Sequence, residues 1–153
     1  MLYNMANNIH IKNKKAYHEY YIEDTFLAGI VLRGTEIKSI RKGKASIKEA
    51  YCQFTGNELF IINMHIAEYD FGSIWNHNPK SDRKLLLQRK ELKKISIKAK
   101  ERGYTIVPLS LFINESGFAK LEIALAKGKK LFDKRESIKA KDTEREHAKK
   151  IKL

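Results

Sequence analysis

A single cysteine, two prolines and the lack of any long apolar run narrow the possibilities for this 153-residue chain before any motif is read. Cys52, having no partner, excludes an internal disulfide and a CxxC metal knuckle, and reads as a small core residue. No stretch approaches the roughly 18 consecutive apolar residues of a membrane-spanning helix. The first fifteen residues mix amides and lysines with no apolar block, so a secretory leader is not expected either. His10, His18, His65, His77 and His147 show neither HExxH nor another ligand spacing, and neither a metal nor a cofactor is expected. Residues 126–130 lack the GxxxxGK[ST] spacing of a phosphate loop, which argues against a nucleotide hydrolase.

Acidic residues are the remaining shortage: 18 Asp/Glu stand against 31 Lys/Arg, for a formal charge of +13. The last 27 residues hold 11 of the basic and 5 of the acidic groups, so +6 lies in the tail and +7 in the body. Such a field asks for a polyanion. A membrane-surface helix needs a continuous apolar face opposite its lysines. The tail has only scattered Leu131, Phe132, Ile138, Ile151 and Leu153, so nucleic acid is the expected partner and the cytoplasm the expected location. Low hydrophobicity with high charge does not offset an ordering entropy of roughly 1–2 kcal/mol per residue, and the tail is expected to be disordered when free. Residues 137–153 lack Gly and Pro and pair Glu146 with Lys150 at helical spacing, which suits a helix induced on an anionic surface.

Local pattern predicts a barrel. Residues 17–22 and 26–32 read as two short strands or one bent one, with Gly29 at a bulge or barrel bend. Residues 34–43 read as a short helix capped by Thr35 and closed by Gly43, with Ile37 and Ile40 inward and Lys38, Arg41 and Lys42 outward. Gly56-Asn57 between two apolar runs predicts a hairpin. Residues 70–82 read as a loop, followed by a long helix capped by Ser81 or Asp82 and ending before Gly103. Strands over 104–107, 110–114 and 119–126 complete the body, the last two as a hairpin. The expected fold is mainly β with α: a small oligonucleotide-binding-type β-barrel with two to three capping helices and a basic C-terminal tail. Residues 1–12 are read as a basic N-terminal arm, 13–126 as the RNA-binding barrel and 127–153 as the tail.

Residues 13–20, 28–32, 34–39, 62–66, 83–87 and 126–135, in that order along the chain, resemble the SmpB family, the SsrA-binding proteins of bacterial trans-translation. The resemblance implies a non-enzymatic adaptor whose barrel grips the tRNA-like domain of tmRNA. Its tail would enter the small-subunit decoding centre and the empty mRNA channel of a stalled ribosome, so that the nascent chain is tagged and the ribosome rescued. By family position Leu86 and Lys120 would contact tmRNA; Asn13, Lys14, His18, Lys38 and Arg41 join them as basic or polar neighbours. In the tail, Lys127, Lys129, Lys130, Lys134 and Arg135 would neutralise ribosomal RNA phosphates. Gly128 would permit close backbone approach, Asp133 would orient nearby cations, and Ile151 would anchor in the channel. Two residues depart from the family pattern. Leu27 stands where many members carry Glu, and Phe132 where members often carry His or Tyr, so Phe132 keeps stacking but not a hydrogen bond. Alanyl-tRNA synthetase, which charges tmRNA, is a candidate further partner, and a monomer is expected for lack of a zipper.

Two rival readings stand beside this one. A structural ribosomal or general RNA-binding protein would account for the charge and the tail but not for the ordered motifs. An RNA-processing enzyme using His18 and Glu19 as acid and base is disfavoured, because neighbours on a strand point to opposite faces.

Overall fold

A computed structural model describes residues 9–72 and 74–129. Nine strands and three helices are found among them: β1 His10–Lys12, α1 Lys14–Glu19, β2 Tyr20–Ile30, α2 Gly34–Arg41, β3 Ala45–Ser46, β4 Tyr51–Thr55, β5 Glu58–Ile62, β6 His65–Ile66, β7 Arg83–Leu86, α3 Arg89–Ala99, β8 Tyr104–Ile113 and β9 Ala119–Gly128. Antiparallel pairings run β8–β4–β5–β7–β2–β9 and return from β9 to β8, giving a ring of six strands. Its narrowest seam is the single pair Cys52↔Ile106 between β4 and β8. β1 adds to β8 outside the ring, and β3 with β6 forms a separate two-stranded sheet. This is the oligonucleotide-binding-type barrel expected from sequence.

The core fills from alternate strand positions: Leu59, Ile61, Leu85, Leu111, Leu121 and Ile123 are almost wholly buried. Ile40 of α2 and Ile95 of α3 add one fully buried side chain each, a contribution of about 1.5–3 kcal/mol apiece. Burial among these residues raises the Cys52 thiol well above its ordinary range, so it stays protonated and unreactive.

Several local readings change. Residues 17–19 belong to α1, because Asn13 Oδ1 accepts the Ala16 amide at 3.3 Å and starts a helix where aromatic residues suggested a strand. The bulge in β2 falls between Ile22 and Asp24, not at Gly29. The long helix starts later: residues 83–86 are strand β7, and α3 opens at Gln88, whose amide donates to Glu91 Oε1 at 3.1 Å. At α2 the expected Thr35 cap is replaced by Glu36, whose Oε1 accepts the Arg33 amide at 2.8 Å. Gly43 closes α2 at φ +72° as expected. Strand β8 runs unbroken through Pro108, with a register shift between Pro108 and Ser110.

The same Glu36 is half of a buried ion pair. Its Oε2 accepts from Arg83 Nε, and both side chains are about 97–98% shielded from solvent. Arg83 spends its other donors on the carbonyls of Met64 (2.7 Å), Asn78 (3.2 Å) and Pro79 (3.1 Å). His77, also buried, bridges Thr35 Oγ1 at 2.8 Å and the Ile66 carbonyl at 3.0 Å. A carbonyl only accepts, so Nε2 carries a proton and donates to Ile66.

Removing one partner of a buried pair leaves the other charge uncompensated. Glu36→Ala is therefore expected to lower stability by about 3–5 kcal/mol in urea unfolding; a change below about 1 kcal/mol would show that water reaches Arg83. At the surface, the Lys94 ammonium 2.9 Å from Asp24 Oδ2 holds that carboxyl below the usual range. The linked stability is present above the unfolded carboxyl pKa of about 3.9 and is lost as pH falls through the folded value. In Lys94→Ala the Asp24 pKa, followed by NMR, should rise toward about 3.9.

Candidate nucleic-acid interface

Strand register places the outward-pointing residues in rows, all of them partly or fully exposed except Ser110, which is buried. Directly paired positions His10, Phe112, Lys120, Gly29 and Leu86 cross five strands in the order β1, β8, β9, β2, β7. A second row, Lys12, Ser110, Glu122 and Leu27, runs parallel to it, two residues away along each strand. The row between them, Leu111, Leu121 and Ala28, is fully buried. Side chains alternate across a strand, so both flanking rows face outward. With neighbouring strands about 4.8 Å apart, the longer row spans about 19 Å.

Gly29 shapes its centre. A Cβ built there would lie 3.4 Å from Leu86 Cβ and 3.7 Å from Lys120 Nζ. The missing side chain thus leaves room for the Lys120 ammonium to cross the strand toward Leu86. Leu86, Leu27 and Val31 remain half-exposed. The predicted contact residues Leu86 and Lys120 are thereby adjacent, and Leu86 is surface and not core. An apolar contact beside a cation suits a folded RNA, which presents ribose and loop bases along with phosphates.

The other predicted residues divide. Lys14 and His18 are exposed on α1, which packs Ala16 against Val107, Leu109, Ala124 and Ala126 on the outer barrel surface. Asn13 is buried, and its side chain points inward. Its Nδ2 donates to the Pro108 carbonyl at 2.9 Å and its backbone amide to the Leu109 carbonyl at 2.8 Å, at the β8 irregularity. Asn13 therefore positions α1 and offers no side-chain group to a ligand.

Lys38 and Arg41 lie on α2, away from the two rows in register. Arg41 Nη2 reaches the Gly117 carbonyl at 3.4 Å. Lys38 and Lys42 stand over the Tyr69 ring at 5.4 and 5.1 Å, and Lys42 also over Phe71 at 5.0 Å. Sequence reading missed these rings, and it missed Tyr17, Phe112 and Glu122 as surface residues. The alternation in β8 and β9 carried the signal for the last two.

Of the tail residues, Lys127 and Gly128 complete β9, paired with Tyr21 and Tyr20. Lys127 Nζ lies 4.8 Å over the Tyr104 ring. The Tyr104 hydroxyl donates to Glu23 at 2.9 Å, and that hydrogen bond raises its pKa. Lys129 donates to the Tyr17 carbonyl at 3.4 Å and stands over the Tyr21 ring. Lys130, Phe132, Asp133, Lys134, Arg135 and Ile151 lie outside the described residues. No described helix is long and apolar enough to cross a membrane.

The family model described as SmpB protein matches residues 10–153. The chain belongs to the SmpB family. A relative from Cytophaga hutchinsonii, named SsrA-binding protein, is 62% identical over 142 residues, covering 93% of each chain. One of the same name from Bacteroides thetaiotaomicron is 58% identical over 145 residues, covering 95% of this chain and 97% of the relative. A solved structure described as "tmRNA-SmpB: a journey to the center of the bacterial ribosome" matches with a TM-score of 0.67 at 42% identity. It covers 79% of this chain and 85% of that one. The rows described above thus lie on an SmpB-type barrel.

If Lys120 neutralises a phosphate, Lys120→Ala should weaken binding to a folded RNA and reduce the slope of log affinity against log salt by about 0.7–0.9. An unchanged slope would remove Lys120 from the interface.

Proposed function

We infer that this protein is the RNA-binding adaptor of trans-translation: it binds the tRNA-like domain of tmRNA and delivers it to stalled ribosomes for nascent-chain tagging and ribosome rescue. The observation that carries this reading is family membership, in a chain 62% identical to an SsrA-binding protein and similar in fold to a structure whose description names tmRNA, SmpB and the bacterial ribosome. The barrel face built on Leu86, Gly29 and Lys120 is the proposed grip on the tRNA-like domain, with Lys14 and His18 beside it. Arg41 and Lys38 on α2 are proposed as flanking cations. Residues 127–153 are proposed as the ribosome-binding tail, with Lys127 and Gly128 leaving the barrel as the end of β9, Lys127 to Arg135 on ribosomal RNA and Ile151 in the mRNA channel.

The adaptor acts by binding and not by turnover, in the cytoplasm where ribosomes translate. The acid–base rival meets an obstacle different from the one expected. His18 and Glu19 share a helix, where neighbours diverge by about 100°, and Glu19 faces Lys15 at 3.8 Å.

Division of labour between barrel and tail is open to a direct test. A chain ending at Lys129 should keep its affinity for the tRNA-like domain to within a few-fold, yet lose tagging in reconstituted translation on an mRNA lacking a stop codon. Equal loss of both activities would contradict the two-part reading.

A further inference from the structure

Between α1, β1 and the β8–β9 face runs an open groove of about 730 Å³, whose walls include His10, Lys12, Lys14, Tyr17, Phe112 and Glu122. Its composition is unusual for a phosphate channel. The protein carries +13 charge, and two ammonium groups line this groove, yet a half-buried carboxylate sits among them. Beyond their backbone pairing, the side chains of Glu122, Lys12 and Lys14 make no hydrogen bond or ion pair with another described residue. Partial burial of a charged group without a partner is unfavourable, so the arrangement points to a ligand that completes it.

The sign of the charge says which part of a nucleic acid belongs where. A phosphate next to Glu122 would be repelled, and the same phosphate next to Lys12 or Lys14 attracted. A base edge bearing N–H donors reverses the preference at Glu122. Guanine alone among the four bases places two adjacent donors, N1–H and N2–H, on its Watson–Crick edge, which match the two oxygens of one carboxylate. Adenine and cytosine offer a single exocyclic amine there, and uracil a single imino group. Tyr17, half-exposed at the groove, and Phe112, 5.8 Å from the His10 ring centroid, supply flat apolar surfaces for stacking.

We propose that this groove holds one unstacked guanine, its Watson–Crick edge on Glu122 and its flanking phosphates on Lys12 and Lys14. The site rests on the RNA-delivery reading only in placing RNA on this face. Glu122 becomes a specificity residue, and the second row gains a role distinct from the Leu86–Lys120 contact of the first.

The test is fluorescence anisotropy of the full chain with labelled pentamers UUXUU, at raised salt to suppress binding by phosphate alone. The central X is guanosine, inosine, adenosine or cytidine. Guanosine is expected to bind about tenfold tighter than adenosine. Inosine, which lacks the N2 amine, should lose most of that advantage. Glu122→Gln, with an unchanged thermal midpoint, should bring all four within about twofold. Equal binding of the four pentamers by the native chain overturns the proposal, as does a guanosine preference that survives in Glu122→Gln. The delivery function is read separately, by whether the tRNA-like domain resists competition from tRNA. Guanine preference without that resistance would remove the delivery reading and keep the groove; resistance without guanine preference would do the reverse.

Discussion

The ion pair between Glu36 and Arg83 is the constraint from which the proposed binding face follows. A guanidinium inside a barrel is tolerated only when its donors are met. Here they are met by Glu36 and by the carbonyls of Met64, Asn78 and Pro79. Those partners sit in α2, in the turn after β5 and in the loop before β7. One side chain therefore joins three segments far apart in sequence. Glu36 couples the pair to helix formation, since its second oxygen caps α2. His77 ties the same loop back to Thr35 and Ile66. With Arg83 pinned inward, alternation along β7 sends Lys84 and Leu86 outward. Leu86 then falls opposite Gly29, and Gly29 opposite Lys120.

Recognition by such a face depends on preorganisation. The apolar and cationic groups are carried on strands of one closed ring, so little backbone entropy remains to be lost on binding. Gly29 sharpens this by leaving a shallow site where a lysine and a leucine meet. The charge on the rest of the molecule attracts RNA of any kind. Discrimination has to come from shape and from the few groups whose geometry the barrel fixes.

Much of this architecture was legible in the sequence, and the failures have physical causes. The Gly56-Asn57 hairpin and the Gly43 helix end were readable because glycine at positive φ marks both, at +63° and +72°. Residues 83–87 misled because a short run of leucines fits a buried strand and a helix stripe equally well, and periodicity over five residues does not arbitrate. Residues 17–19 misled because β-favouring aromatics outweighed the capping amide of Asn13. Charge was legible as a total but not as a location. Arg83 carried no local sign of its role, since nothing nearby announces a partner 47 positions away. Asn13, one of the predicted RNA contacts, proved to be a structural clamp for a similar reason: its acceptor carbonyls at residues 108 and 109 are about 95 positions distant. Resemblance to a family supplied Leu86 and Lys120, and the strand register then placed them on either side of Gly29.

The central claim is that the fixed face, and not the net charge, selects the RNA. It is tested most directly by competition at physiological salt, with a labelled tRNA-like domain of tmRNA challenged by unlabelled tRNA, double-stranded RNA and single-stranded DNA. Retention of the labelled domain against large excesses of all three is the predicted result. Equal displacement by all three would mean that charge alone does the binding, and would contradict the account.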